Sequence, residues 1–368
     1  MVRLMLAAVA AARRPATITM SRPRVARSNG SGSAQLIAPL QYTGAVGGSG
    51  SGDGQFVGPE GMGQDADGNI LVADYLNNRV QKLNATGAYL GQFGTFGTND
   101  GQLNGPSDVQ VDSVGNIYVA DSSNNRVQKF DSSFNFLLKF GSRGNGNGQF
   151  QGSIALCLDA SNNVYVVDSN TNRVQKFGPS GNFQWSSGSG GSGDGQFGVA
   201  FACAVSGTAV YVSDLAESRI QLLSTANGAF QSKFSLAAPG RVPLFAADGS
   251  LFVSLFGAGT VQQLAADGTL LASFSGQPRG FSPYGIAVAQ SDGGGAPLLV
   301  AVADDNNNVI SYFQRTLCAA SVSAPAPSAV WLVHGEPFVT ARPHMGAVER
   351  SPPACCSANT AIDFRSER

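Results

Sequence analysis

The chain is poor in charge and nearly free of histidine. Only 13% of its 368 residues are Asp, Glu, Lys or Arg, and it has two histidines, His334 and His344. Serine nucleophiles with a histidine base, and zinc held by several histidines, are therefore excluded from residues 1–333. Cysteine is sparse too: Cys157, Cys203, Cys318, Cys355 and Cys356, an odd count with no CxxC pair. That is no disulfide framework. Cys157 and Cys203 fall in matching strands of neighbouring sequence units and read as two small buried residues. No apolar run reaches the ~18 residues of a membrane helix. His334, His344, Cys355 and Cys356 match no common zinc spacing, and adjacent cysteines chelate poorly, so no metal is expected there.

Glycine is abundant instead, at 47 residues. With an ordinary 43% hydrophobic content, this suggests many short strands joined by tight turns. Charge is unevenly placed. Residues 1–39 hold six arginines and no acid; residues 40–315 hold 13 Lys and Arg against 20 Asp and Glu, a net of −7. The central region is thus acidic, which disfavours a nucleic-acid or anionic-membrane surface.

The sequence repeats itself. Gln55, Gln102, Gln149 and Gln196 are spaced by 47 residues, and so are Gly47, Gly94, Gly141 and Gly188. Arg79, Arg126 and Arg173 keep the same step, and Arg219 follows after 46. Within one unit, the turn Asp65–Gly68 precedes the apolar run Asn69–Ala73. Asp74 and the turn at Asn77-Asn78 follow, then the alternating Arg79–Leu83, the turn Ala85–Gly87 and the strand Ala88–Phe93. Four strands and three tight turns make a meander, and its radial repetition is a propeller.

The segments GNILVADYLNNRVQKL, GNIYVADSSNNRVQKF and NNVYVVDSNTNRVQKF, with their GDGQF or GNGQF lead-ins, resemble NHL repeats. The likeness covers about three-quarters of the chain. It fades at GSLFVSLFGAGTVQQL and partly returns at LLVAVADDNNNVISYF, where Asp304 is kept and Asn308 is aligned with the arginines. Third strands opening at Arg79, Arg126, Arg173, Arg219, Thr260 and Asn308 count six units, so the expected fold is an all-β, six-bladed β-propeller of four-stranded blades over residues 40–315. The N-terminal segment Leu40–Val46 is expected to complete the last blade and close the ring. Residues 1–39 read as a basic segment, either a secretory signal, an organelle transit peptide or a disordered arm, which leaves the compartment open. Residues 316–368, rich in Pro, Ala and Ser, read as a disordered tail.

Residues shared by every unit are expected to hold the unit together. Asp74, Asp121, Asp168 and Asp214 should cap the turn after the second strand, and Arg79, Arg126, Arg173 and Arg219 should pair with a nearby acid. Asn77, Asn124 and Asn172 suit left-handed turn positions. Residues that differ between units are the better ligand candidates. Those just before each innermost strand, and those after each second strand, open on one face. Glu60, Asp108, Tyr284, Arg241, Tyr75, Phe201 and Phe256 are the candidate ligand-binding residues of that face.

This set favours a non-enzymatic scaffold for a protein, peptide or small ligand, with a basic partner preferred, no cofactor and a monomeric propeller. Two alternatives come from related propellers. A gluconolactonase-like hydrolase would hold a divalent metal with channel oxygen ligands, for which Glu60 and Asp108 supply two, while Phe201, Val242 and Tyr284 stand where others are needed. RNA binding, as in tripartite-motif NHL proteins, would want basic stripes, and no RING or B-box pattern precedes the propeller.

Overall fold

The structure is a computed structural model and describes residues 40–152, 154–276, 280–289 and 298–315. The basic segment 1–39, the tail 316–368 with His334, His344, Cys318, Cys355 and Cys356, and Ser153 lie outside the described residues. The fold is a six-bladed β-propeller of four-stranded antiparallel sheets.

The first blade runs Pro59–Gln64, Ile70–Asp74, Arg79–Leu83 and Tyr89–Phe93 from the channel outward. The next three begin with the inner strands Pro106–Val111, Ile154–Leu158 and Ala200–Ser206, and the fifth with Gly240–Phe245. The sixth comprises Pro283–Ala289, Leu298–Asp304, Val309–Arg315 and, outermost, Gln41–Gly47. Gln41–Gly47 pairs antiparallel with Val309–Arg315, from Gln41 opposite Gln314 to Gly47 opposite Val309.

Strand composition follows position. Second strands such as Ile70–Asp74, Ile117–Asp121 and Val164–Asp168 are buried along their whole length, because neighbouring blades cover both faces. They are accordingly near-continuous apolar runs. Outer strands such as Tyr89–Phe93 and Phe136–Phe140 alternate half-buried with exposed residues, as a strand wetted on one face must. Between blades the packing is sealed by Phe56, Leu103, Phe150 and Phe197, one per repeat and fully buried.

The repeated polar residues lock each blade to the loop that enters it. Asp74 Oδ2 accepts from Arg79 Nε at 2.8 Å, and its Oδ1 from the backbone N–H of Val57 at 2.8 Å. The other guanidinium nitrogens donate to the carbonyls of Ser51, Gly52 and Gln55. Gln81 grips the same loop from both ends: Nε2 donates to the Gln55 carbonyl and Oε1 accepts from Gly54 N–H. Blade two repeats the pattern with Asp121, Arg126 and Gln128, and blade four with Asp214, Arg219 and Gln221. At Asp74 and Asp121 the aspartate ties the entering loop and no side-chain cap bond forms, whereas Asp168 does both, accepting from Gln151 N–H of the loop and from Asn170 N–H of its own turn.

Four further expectations are corrected. Arg173 does not pair with Asp168: its Nε is buried without a partner, although its other nitrogens hold Asn145, Gly146 and Gln149 as in the other blades. Here Thr171 stands where Asn77 and Asn124 elsewhere donate to the aspartate. Secondly, the left-handed residues are Asn78, Asn125 and Asn172, so Asn77 and Asn124 are one place off. Thirdly, Asn308 has φ 56° and accepts from Gly58 N–H through Oδ1, as Asn78 does from Gly105. It is the equivalent of Asn78, the third strand begins at Val309, and Val309 takes the arginine position. Finally, Cys157 and Cys203 form a disulfide, with Cα atoms 5.7 Å apart. Equivalent positions on the inner strands of adjacent blades are close enough for a bridge.

Candidate functional site

The candidate site is the face on which inner strands begin and second strands end. Pro59 lies opposite Asp74, Pro106 opposite Asp121, Ala200 opposite Asp214, Gly240 opposite Leu255 and Pro283 opposite Asp304. In these five blades the register breaks immediately afterwards. Such a bulge re-aims the extra residue. The residues at the break are Glu60, Ser107, Phe201, Arg241 and Tyr284. They lie within the inner strands, not before them, and all five sit at one level of the channel mouth.

Arg241 is the centre of this level. It is only 5% exposed. Its guanidinium lies 4.4 Å from the Phe256 ring and 4.7 Å from the Tyr284 ring. The Tyr284 ring in turn meets Phe201 at 5.6 Å. Nη1 reaches Asp305 Oδ2 and the Pro283 carbonyl at 3.4 Å, and Ser282 Oγ at 3.5 Å. All three contacts are long for a charged donor. Arg241 Nε and Asp305 Oδ1 are buried without a hydrogen-bond partner among the described residues. Burial, together with the Glu60 carboxylate, pushes the Tyr284 phenol well above its usual range; Asp305 and Asp108 act the same way and Arg241 opposes them.

Asp108 sits one residue deeper than Glu60 and its counterparts. Its Oδ2 accepts from Leu156 N–H of blade three at 2.8 Å and its Oδ1 from Val109 N–H at 2.8 Å. Its side chain occupies the place above Gly61, where a Cβ would stand 2.2 Å from Asp108 Oδ1. Burial pushes its carboxyl up to about 7, against the opposing pull of the Leu156, Val109 and Gln110 donors. Gly285 makes a similar close approach, its missing Cβ directed at the Glu60 carbonyl 2.3 Å away.

Of the seven sequence candidates, Phe201, Arg241, Phe256 and Tyr284 are brought into one contiguous cluster. Glu60 and Asp108 act electrostatically on the same Tyr284 phenol. Tyr75 lies in the turn after the second strand of blade one, packed over Gly105 at the joint with blade two. Asp305, on a turn already assigned to this face, was not singled out as a ligand residue. Its partner Arg241 is 64 residues away, and only the placement of blade six beside blade five joins them. Among the described residues no three His, Cys, Asp or Glu side chains gather as a metal cluster, and no helix is long and apolar enough to cross a membrane.

The NHL-repeat family profile matches residues 103–130 and 154–177, the inner three strands of blade two and of blade three. The chain is an NHL-repeat propeller. A search of curated protein sequences finds no match to this NHL propeller. Solved structures share its architecture. A gluconolactonase from Xanthomonas campestris has a TM-score of 0.55 and 13% identity, over 76% of this chain and 99% of its own. A virginiamycin B lyase from Staphylococcus aureus, with quinupristin, has a TM-score of 0.51 and 13% identity over 75% and 98% of the two chains. A PQQ-bound aldose sugar dehydrogenase from Streptomyces coelicolor has a TM-score of 0.51 and 10% identity over 77% and 99%. At such identities the likeness is one of fold, and this fold carries both enzymes and binding scaffolds.

Proposed function

We propose that this NHL propeller is a binding protein that takes a short extended peptide or a small polar ligand at its channel mouth. The observation that carries the reading is Arg241: a cation buried against two aromatic rings with its Nε left without a partner. Buried charge is costly unless it is hydrogen-bonded, so an arginine held by ring stacking and long contacts calls for a further partner. Half-buried Phe256 and Tyr284 lie against it and Phe201 adjoins Tyr284, offering contact area at low entropic cost. The acidity of residues 40–315 favours approach of a basic partner and disfavours RNA. A lactonase-like metal site is less well supported, since an arginine and two aromatic residues hold three of the mouth positions where oxygen ligands would be needed.

Selection from a displayed peptide library tests this. Glu60→Lys and Phe256→Ser should each release the selected peptides, while Asp67→Lys, on an exposed turn of the opposite face, should not. Retention by both mouth variants with loss in Asp67→Lys would place binding on the wrong face for this reading.

A further inference from the structure

We infer that the ligand of the channel mouth is a zwitterion of amino-acid to dipeptide size, its carboxylate seated on Arg241 and its ammonium facing Glu60 and Asp305. This rests on the mouth being the binding site.

The first support is the state of Arg241. Stacking, not hydrogen bonding, fixes its guanidinium: both rings lie within 5 Å of it, whereas its Nη1 contacts are all 3.4–3.5 Å and Nε has none. Asp305 matches it poorly, since one of its own carboxylate oxygens is also buried and unpaired. With Asp305 partly in solvent and every contact long, this pair recovers little of the cost of burying Arg241. A ligand carboxylate on the guanidinium edge adds charge-assisted bonds that Asp305 does not supply, and two parallel bonds are the preferred arrangement for that pair.

The second support is the balance of charge. Arg241 lies 4.7 Å from the Tyr284 ring with Asp305 Oδ2 3.4 Å from its Nη1, and the Glu60 backbone abuts Gly285 beside Tyr284, so Glu60, Asp305 and Arg241 border one mouth. A purely anionic ligand placed on Arg241 meets the two flanking carboxylates Glu60 and Asp305. A purely cationic ligand placed on those carboxylates meets Arg241. A molecule carrying both charges a few bonds apart satisfies each wall and repels neither. The third support is the apolar lining. Phe201 and Tyr284 pack 5.6 Å apart, and the Phe256 ring lies 4.4 Å from the Arg241 guanidinium. Together they form a surface for a side chain between the charged ends.

The experiment is a thermal-shift and calorimetric screen of the oxidised full chain at pH 7. The probes are the twenty free amino acids and a set of dipeptides, followed by the N-acetyl and C-terminal amide forms of the tightest binder. At least one free amino acid or dipeptide should bind, and each blocked form, lacking one charge, should bind about tenfold more weakly or worse. Arg241→Lys, which keeps the charge but not the planar fork, should weaken the carboxylate-bearing probes by a similar factor. Glu60→Gln should reduce discrimination against the N-acetyl form. Asp305→Asn, at a half-exposed position, gives a second reading of the ammonium wall should Arg241→Lys fail to fold. If the blocked forms bind as well as the parent and Phe256→Ser abolishes all of them, the mouth is a site but its ligand is not a zwitterion. If the parent binds and Phe256→Ser leaves it untouched, the mouth reading itself fails. If no amino acid or dipeptide shifts the melting temperature, the inference is overturned outright.

Discussion

As pH rises from about 4 to about 7, Asp108 should destabilise the propeller. Its carboxyl is raised from 3.8 to about 7 in the fold, with burial the chief cause. Between those values the native state holds a proton that the unfolded chain has released. Native stability is therefore fully present below the unfolded pKa and declines until pH passes the folded one. A difference of this size corresponds to roughly 4 kcal/mol, a large part of the 5–15 kcal/mol typical of a folded domain. Asp108→Asn removes the titration while keeping the shape. An amide has one acceptor oxygen, whereas Leu156 N–H and Val109 N–H bond to different oxygens of Asp108. One N–H then loses its acceptor, at a pH-independent cost of about 1–3 kcal/mol. The variant should be the less stable protein at pH 4.5, lose less on going to pH 8, and there equal or exceed wild type. Urea unfolding followed by the fluorescence of Trp185, whose indole N–H bonds to the Thr225 carbonyl of the neighbouring blade, reads both curves. Stability differences that stay constant from pH 4.5 to 8 would show that Asp108 is ionised throughout and refute the argument.

Three further outcomes are expected. Asp121→Asn should cost more than Asp168→Asn, by about 1–3 kcal/mol, because only Asp121 is the ion partner of a buried arginine; equal losses in urea unfolding would refute the difference between the two blades. Cys157→Ser/Cys203→Ser, or reduction under mildly denaturing conditions, should lower stability by about 4 kcal/mol for a closed loop of 46 residues, so that protein made in an oxidising compartment is the more stable; a non-reducing gel and a melting curve check this, and unchanged melting on full reduction would contradict it. Gly285→Ala should cost about 1–3 kcal/mol or abolish folding, since the added methyl meets the Glu60 carbonyl; a variant as stable as wild type in urea would mean that the inner strands of blades six and one are free to separate.

The blades were legible because their polar residues recur. Asp74, Arg79 and Gln81 each do a job that every well-formed unit needs, so the 47-residue period exposes them even without knowledge of their contacts. Their partners were less legible. The loop carbonyls that Arg79 and Gln81 grip carry no side-chain signature, and so the aspartate was read as a cap on its own turn. The disulfide did leave a signal: cysteines 46 residues apart, at the same position of adjacent units, lie side by side once the units stack. The alternation of the last blade misled by one residue, since three successive asparagines at 306–308 allow two registers and only the φ of Asn308 decides between them. At the mouth, single residues such as Arg241 and Phe256 stood out by differing from their counterparts. Their mutual stacking, and the part played by Asp305, depend on the angle between blades five and six, which no local pattern encodes.

The joints of the ring are not equally fastened. Loops entering blades one to four are gripped by Arg79, Arg126, Arg173 and Arg219. At the same places blade five has Leu255 facing Thr260, and blade six has Asp304 facing Val309. There the arginine grip gives way to other ties: Arg241 meets Asp305, Ser254 Oγ donates to the Tyr284 carbonyl at 2.8 Å, and Arg315 donates to Gln263 between blades five and six. Arg241 and Phe256 belong to blade five and Tyr284 and Asp305 to blade six, so the residues that would hold a ligand straddle the seam between them. A guest at the mouth would therefore sit across contacts that also hold the ring together. A guest bridging Arg241 and Asp305 would draw the two blades together, and its affinity would register as resistance of this one seam to opening.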